Sequence, residues 1–144
     1  MVRFIEFMPL GEDRAWSSDV VVTMSEILRR MAEYLHLVEI PHERSETARR
    51  YVFEDGTGEI GIIASVSQPL CGHCSRIRIS CDGKIRTCLF QFGIMICTGL
   101  MHGSVSDDDL MKFIHSVVGR KEERHHIGET GFVPPSRTMV HIGG

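Results

Sequence analysis

The chain opens on strict alternation. Residues 2–9 (VRFIEFMP) put Arg3, Ile5 and Phe7 on one side and Phe4, Glu6 and Met8 on the other, a period of two that predicts a strand ended by Pro9. A polar, glycine-containing stretch around Trp16 reads as a loop. The pattern then changes period. Thr23-Met24-Ser25-Glu26 has the form of a capping box, and Ile27, Leu28, Met31, Tyr34 and Leu35 recur at helical spacing, which predicts a helix over about residues 24–36 with Val22 and Ile27 as a hydrophobic staple. Pro41 breaks the segment that follows. Tyr51–Phe53 and Glu59–Val66 read as strands around the turn Asp55-Gly56-Thr57-Gly58, and Arg76–Ser80 and Lys84–Phe90 as strands around a two-residue hairpin turn at Asp82-Gly83. Together these four predict one small antiparallel sheet over residues 50–90. Ser106 followed by Asp107, Asp108 and Asp109 marks a second helix start, with Leu110, Phe113, Ile114, Val117 and Val118 as its buried stripe and Gly119 as its stop. Beyond Glu122 the chain reads as an irregular tail.

At 144 residues, 42% hydrophobic and 24% charged, the composition fits one ordinary globular domain and excludes a disordered or collagen-like chain. No apolar run approaches the ~18 residues of a membrane span. A net charge of −3 argues against general nucleic-acid binding while leaving room for a local basic site. Five cysteines, an odd and low count, point to a reducing compartment and to metal ligation rather than a disulfide framework. The strand pattern begins at once, with no cap or turn before it, so the chain reads as a fragment.

The chemistry concentrates between Cys71 and Cys88. Cys71 and Cys74 form a CxxC on a glycine-containing loop, and the predicted hairpin folds Cys88 back toward them, with Arg76 and Arg78 on one face of the intervening strand. Three thiolates suit a soft centre, and zinc and an iron–sulfur cluster both stand at this point. A closed zinc site needs a fourth ligand from His73, Cys81 or Cys97; a three-cysteine 4Fe–4S cluster leaves one iron open, and paired guanidiniums beside it suit a phosphorylated ligand. Blander readings hold elsewhere. Cys81 belongs to the turn, Cys97 to the core, His73 to the loop, and His125-His126 to a solvated segment. The aspartates at 107–109 are helix capping.

Ser67–Arg78, with its CxxCxRxR, and Asp82–Phe90, with a third cysteine fourteen residues after the second, resemble the C-terminal cluster region of the GTP 3′,8-cyclase family, radical S-adenosylmethionine enzymes of molybdenum cofactor biosynthesis. Arg3-Phe4-Ile5-Glu6-Phe7-Met8-Pro9 and the closing Gly143-Gly144 agree with it. The resemblance implies an α/β chain: a late strand–helix piece of a radical-SAM (βα) barrel over residues 1–40, then a small antiparallel-sheet α+β C-terminal domain over residues 41–144. It implies that Cys71, Cys74 and Cys88 hold a 4Fe–4S cluster whose open iron takes the guanine of GTP. By the same resemblance Arg76, Arg78, Arg3, Gly143 and Gly144 surround the substrate and Met8 lines the S-adenosylmethionine pocket. The implied partners are GTP, the missing N-terminal barrel portion or a complementary chain, and a second copy in a homodimer, with neither nucleic acid nor membrane. The implied compartment is the cytoplasm in a bacterium and the mitochondrial matrix in a eukaryote. The family's first cluster and its S-adenosylmethionine need a CxxxCxxC. Here the cysteines fall at 71, 74, 81, 88 and 97 with no pair four apart, so the expected role is substrate placement without radical generation. The expected lobe exposes an apolar face where the barrel packs. The competing reading is a non-catalytic zinc or iron–sulfur module.

Overall fold

A computed structural model describes residues 1–10, 16–44, 46–90, 95–96, 99 and 105–134. The architecture is mixed α/β and divides into two compact units, Met1–Pro9 with Ala15–Cys74, and Leu10–Arg14 with Ser75–Gly144.

The first unit is a four-stranded sheet with one helix on it. Strands β1 (Val2–Ile5), β2 (Leu37–Ile40), β3 (Arg49–Phe53) and β4 (Glu59–Ile63) lie in the order β1-β4-β3-β2. β1 runs parallel to β4 with Phe4 beside Ile62, whereas β3 is antiparallel to both β4 and β2. Of the two interior strands, β3 and β4, β4 is the more apolar and the more buried. The register puts Phe4, Ile60, Ile62 and Tyr51 on one face. That face packs on helix α1 (Met24–Met31) through Met24, Ile27, Leu28 and Met31, around an Ile62 that is 0% exposed. The alternation along β1 is therefore realised: Phe4 and Glu6 turn inward, while Arg3, Ile5 and Phe7 are exposed.

Three expectations change here. The predicted single sheet over residues 50–90 is two sheets, because β4 takes β1 as its second neighbour and the later strands pair elsewhere. Helix α1 stops at Met31 instead of near residue 36. The amides of Tyr34 and Leu35 both close onto Met31 O, and Leu37–Ile40 is drawn off into β2 against β3. Tyr34, which recurs at helical spacing with the apolar run, is 83% exposed. The capping box is half made. Thr23 Oγ1 accepts the Glu26 amide at 3.3 Å, but the Glu26 carboxylate turns outward. Hydrogen bonds from Arg29 and then Arg30 hold its pKa down at about 2. Thr23→Ala is expected to cost the chain about 1 kcal/mol in urea unfolding, the usual loss of one side-chain cap.

The second unit carries strands β5 (Arg78–Ile79), β6 (Lys84–Arg86) and β7 (Met95–Ile96), antiparallel in that order, and helix α2 (Asp107–Gly119). Ser106 Oγ caps α2 by accepting the Asp109 amide at 3.2 Å, and the helix ends at Gly119 as its sequence predicts. Ile85 and Val117 form the local core, with Met95 and Phe113 against them; Val118 faces out of the expected stripe. His125, expected in solvent, is buried edge-on to the Phe90 ring with centroids 5.4 Å apart, while His126 stays exposed beside Glu129.

Candidate metal centre and arginine face

Cys71–His73 form a single 3₁₀ turn that closes through His73 N–H to Leu70 O and Cys74 N–H to Cys71 O, both at 3.1 Å. Three residues per turn bring positions 71 and 74 to one side, the spacing a pair of thiolates needs to share a centre. Both cysteines are half-buried and carry no disulfide, and His73 is exposed. Cys88 is also a half-buried thiol, and Cys81 is an exposed one in the β5–β6 turn. The donors are thus soft and reduced, as a zinc or iron–sulfur centre requires. Among the described residues no three His, Cys, Asp or Glu side chains are grouped to hold a metal ion. Cys71 and Cys74 belong to the first unit, and Cys88 to the second.

The hairpin joining β5 to β6 differs from its expectation by one residue. Gly83 N–H donates to Ser80 O at 2.9 Å, and Ser80 N–H to Lys84 O at 2.9 Å. The loop is therefore the three residues Cys81, Asp82 and Gly83, and Gly83 takes the left-handed φ of 69° that this loop needs at its last position. In place of the two-residue Asp82-Gly83 turn, the longer loop shifts the pairing so that Arg78 faces Arg86 and Ile79 faces Ile85. A one-residue shift of this kind exchanges faces. The ladder ends at that Arg78–Arg86 pair, and Thr87 and Cys88 follow in a bend. Arg78 and Arg86 therefore share one face of the ribbon.

Lys121 ties the two arms together beyond the ladder. Its ammonium, just beyond the end of α2, donates to Arg76 O at 3.1 Å and to Thr87 O as well, so the backbones at 76 and 87 remain neighbours where the ladder has ended. Arg76 is exposed, Arg78 half-buried and Arg86 only 7% exposed. Neither Lys121 nor Arg86 was marked by the CxxCxRxR pattern. Arg86 had a signal in its parity with Cys88; Lys121 had none.

Arg3, exposed, lies on the β1 face turned away from α1. Its stem lies over Gly61, with Cγ 3.4 Å from where a Cβ on that glycine would stand, an ordinary van der Waals distance. Met8 is half-buried just past β1. Gly143, Gly144 and Cys97 lie outside the described residues.

Glu6 is the unexpected member of this region. It is 1% exposed, and its carboxylate accepts Met24 N–H, Val66 N–H and Ser67 N–H at 2.8 Å each and Ser67 Oγ–H at 2.5 Å. Burial alone would raise its pKa. The Ser67 hydroxyl and the Ser67, Met24 and Val66 amides more than offset that and hold it below the ordinary carboxylate value.

Residues 1–127 match the Molybdenum Cofactor Synthesis C family. The chain belongs to that family. It is 40% identical over 147 residues to a GTP 3′,8-cyclase of Rhodopirellula baltica, a match that covers 99% of this chain and 41% of the relative. The GTP 3′,8-cyclases of Corynebacterium glutamicum (39% identical, 99% and 40% covered) and Synechococcus sp. (strain WH7803) (32% identical, 99% and 41% covered) align in the same way. The member described here therefore spans about two-fifths of the length of the curated relatives it matches. Among its described residues no helix is long and apolar enough to cross a membrane.

Proposed function

We propose that this chain is the substrate-placing C-terminal lobe of a GTP 3′,8-cyclase. Residues 1–40 are then the last strand–helix piece of the radical-SAM barrel, and residues 41–144 the C-terminal domain. Cys71, Cys74 and Cys88 are the ligands for a 4Fe–4S cluster, with Arg76, Arg78, Arg3, Gly143 and Gly144 around GTP and Met8 toward S-adenosylmethionine. Such a cluster, when bound, supplies an iron with one open coordination position for the guanine ring. The remaining work is done by this chain's own side chains, which bind and orient.

The observation that carries the reading is the β5–β6 hairpin. Arg76, exposed, and Arg78, half-buried, stand on the segment that leads from the Cys71–Cys74 turn into that hairpin, and their guanidinium forks match the oxygens of a phosphorylated ligand. Lys121 fixes the backbone of Arg76 beside that of Thr87, the residue before Cys88, which ties the nucleotide-facing arginine to the third proposed ligand. β1 supports the barrel assignment. It is an edge strand of its sheet, and Val2, Ile5 and Phe7 around it are exposed, as a strand awaiting a preceding barrel strand would leave them.

Anaerobic reconstitution with iron and sulfide tests the proposal. The expected product is brown, absorbs broadly at about 400 nm and holds about four irons per chain. A colourless protein with one tightly held zinc would establish the non-catalytic module instead. Arg76→Ala is expected to keep the iron while weakening GTP binding by roughly 10–100-fold, the worth of one or two charge-assisted hydrogen bonds. Parent-like GTP binding by that variant would remove Arg76 from the site. The 144 residues alone are expected to form no cyclised product, because they hold no CxxxCxxC.

A further inference from the structure

We infer that Glu6 is a positioning residue for the Cys71–Cys74 thiol pair, acting through the loop that its carboxylate ties to the end of β1. The inference rests on the metal reading above for its purpose, but its geometry stands within the first unit alone. Glu6 is itself held firmly. Its amide donates to Ile63 O at 3.1 Å, extending the β1–β4 ladder by one residue, and its carboxylate emerges from that ladder on the buried face. One oxygen takes the first amide of α1 and the Ser67 hydroxyl; the other takes the Val66 and Ser67 amides. A strand end, a helix start and a loop sixty residues away in sequence therefore meet on one side chain.

The route from this anchor to the thiols is short and stiff. Only Gln68, Pro69 and Leu70 separate Ser67 from Cys71. Pro69 locks its own φ and biases Gln68 toward extended backbone, and Leu70 O already belongs to the thiol turn by accepting the His73 amide. Few soft torsions remain, so the place of the Ser67 backbone sets the place of Cys71. Every polar atom that meets the carboxylate is a donor. An ionised carboxylate accepts all four hydrogen bonds; a carboxamide presents an NH₂ group to at least one N–H and must release it.

Glu6→Gln, Ser67→Ala and Thr23→Ala test this in the full chain. The first two loosen the loop, whereas Thr23→Ala weakens the same helix start and leaves residues 66–67 alone. In metal-free protein, iodoacetamide modification is followed cysteine by cysteine by mass spectrometry. Glu6→Gln is expected to speed modification of Cys71 and Cys74 by roughly tenfold, the factor one charge-assisted hydrogen bond supplies, with Cys81 and Cys88 unchanged in the same molecules. Ser67→Ala gives a smaller rise at the same two thiols and decides the matter if Glu6→Gln does not fold. In reconstituted protein the same two variants lose iron to a chelator faster than Thr23→Ala does. Rates at Cys71 and Cys74 no higher than those of Thr23→Ala, or a rise shared equally by all the cysteines, would overturn the inference. A parent chain that takes up no iron would sink the metal reading, and the thiol rates would still decide for or against the anchor.

Discussion

Cys88→Ser is expected to take iron after reconstitution from about four atoms per chain to less than about one, and to abolish the charge-transfer band with it. A serine hydroxyl is nearly the size of a thiol but stays protonated at neutral pH and is a hard donor, so it fills the space without supplying the ligand. The fold is not expected to change, since Cys88 is half-buried and the hairpin before it is held by the backbone bonds of Ser80, Gly83 and Lys84. Cys81→Ser is the matched control, with a thiol removed from the exposed hairpin loop and iron unchanged. If Cys88→Ser kept parent levels of iron while Cys81→Ser lost them, the third ligand would be Cys81.

The hairpin before Cys88 shows what a pattern along the chain can and cannot reveal. Asp82-Gly83 announced a hairpin, and a hairpin stands there, but a pair of residues cannot distinguish a two-residue loop from a three-residue one that ends in the same glycine. The difference is decided by which turn the local twist accepts, and it moves Arg86 from the place opposite Ile79 to the place opposite Arg78. Helix starts were legible because caps are local: Thr23 and Ser106 each accept the amide three residues on. Sheet membership was not. The partner that β4 takes on its second edge is β1, nearly sixty residues earlier, and nothing in Glu59–Ile63 encodes that choice. β2 was lost for a related reason, since Leu37–Ile40 is short, continues a helical run and becomes a strand only because β3 pairs with it. Glu6 lay between. The period of two put it on the inward side with Phe4, and a carboxylate aimed into a core was the signal available, but its four donors come from distant segments.

Glu6→Ala is expected to be the most damaging single change in the first unit. It leaves three amide donors and one hydroxyl without their acceptor, two of the amides in a loop and the third at the first turn of α1. Hydrogen bonds to a charged group are worth ~1.5–3 kcal/mol each and are not additive, so a loss of about 3–5 kcal/mol in urea unfolding at pH 7 is expected, a large share of the ~5–15 kcal/mol of a typical domain. Its dependence on pH separates the carboxylate from simple packing. The folded pKa of Glu6 lies below the unfolded reference of 4.5, so its contribution is present in full above that reference and is lost as pH falls through the lowered folded value. The gap between parent and variant should therefore be widest at pH 6–7 and narrow steadily in acid, chiefly because the parent weakens. A gap of constant size down to pH 3 would mean that the missing methylenes, and not the charge, carry the stability. The loop before Cys71 would then be held by packing around Glu6 and not by its ionised oxygens.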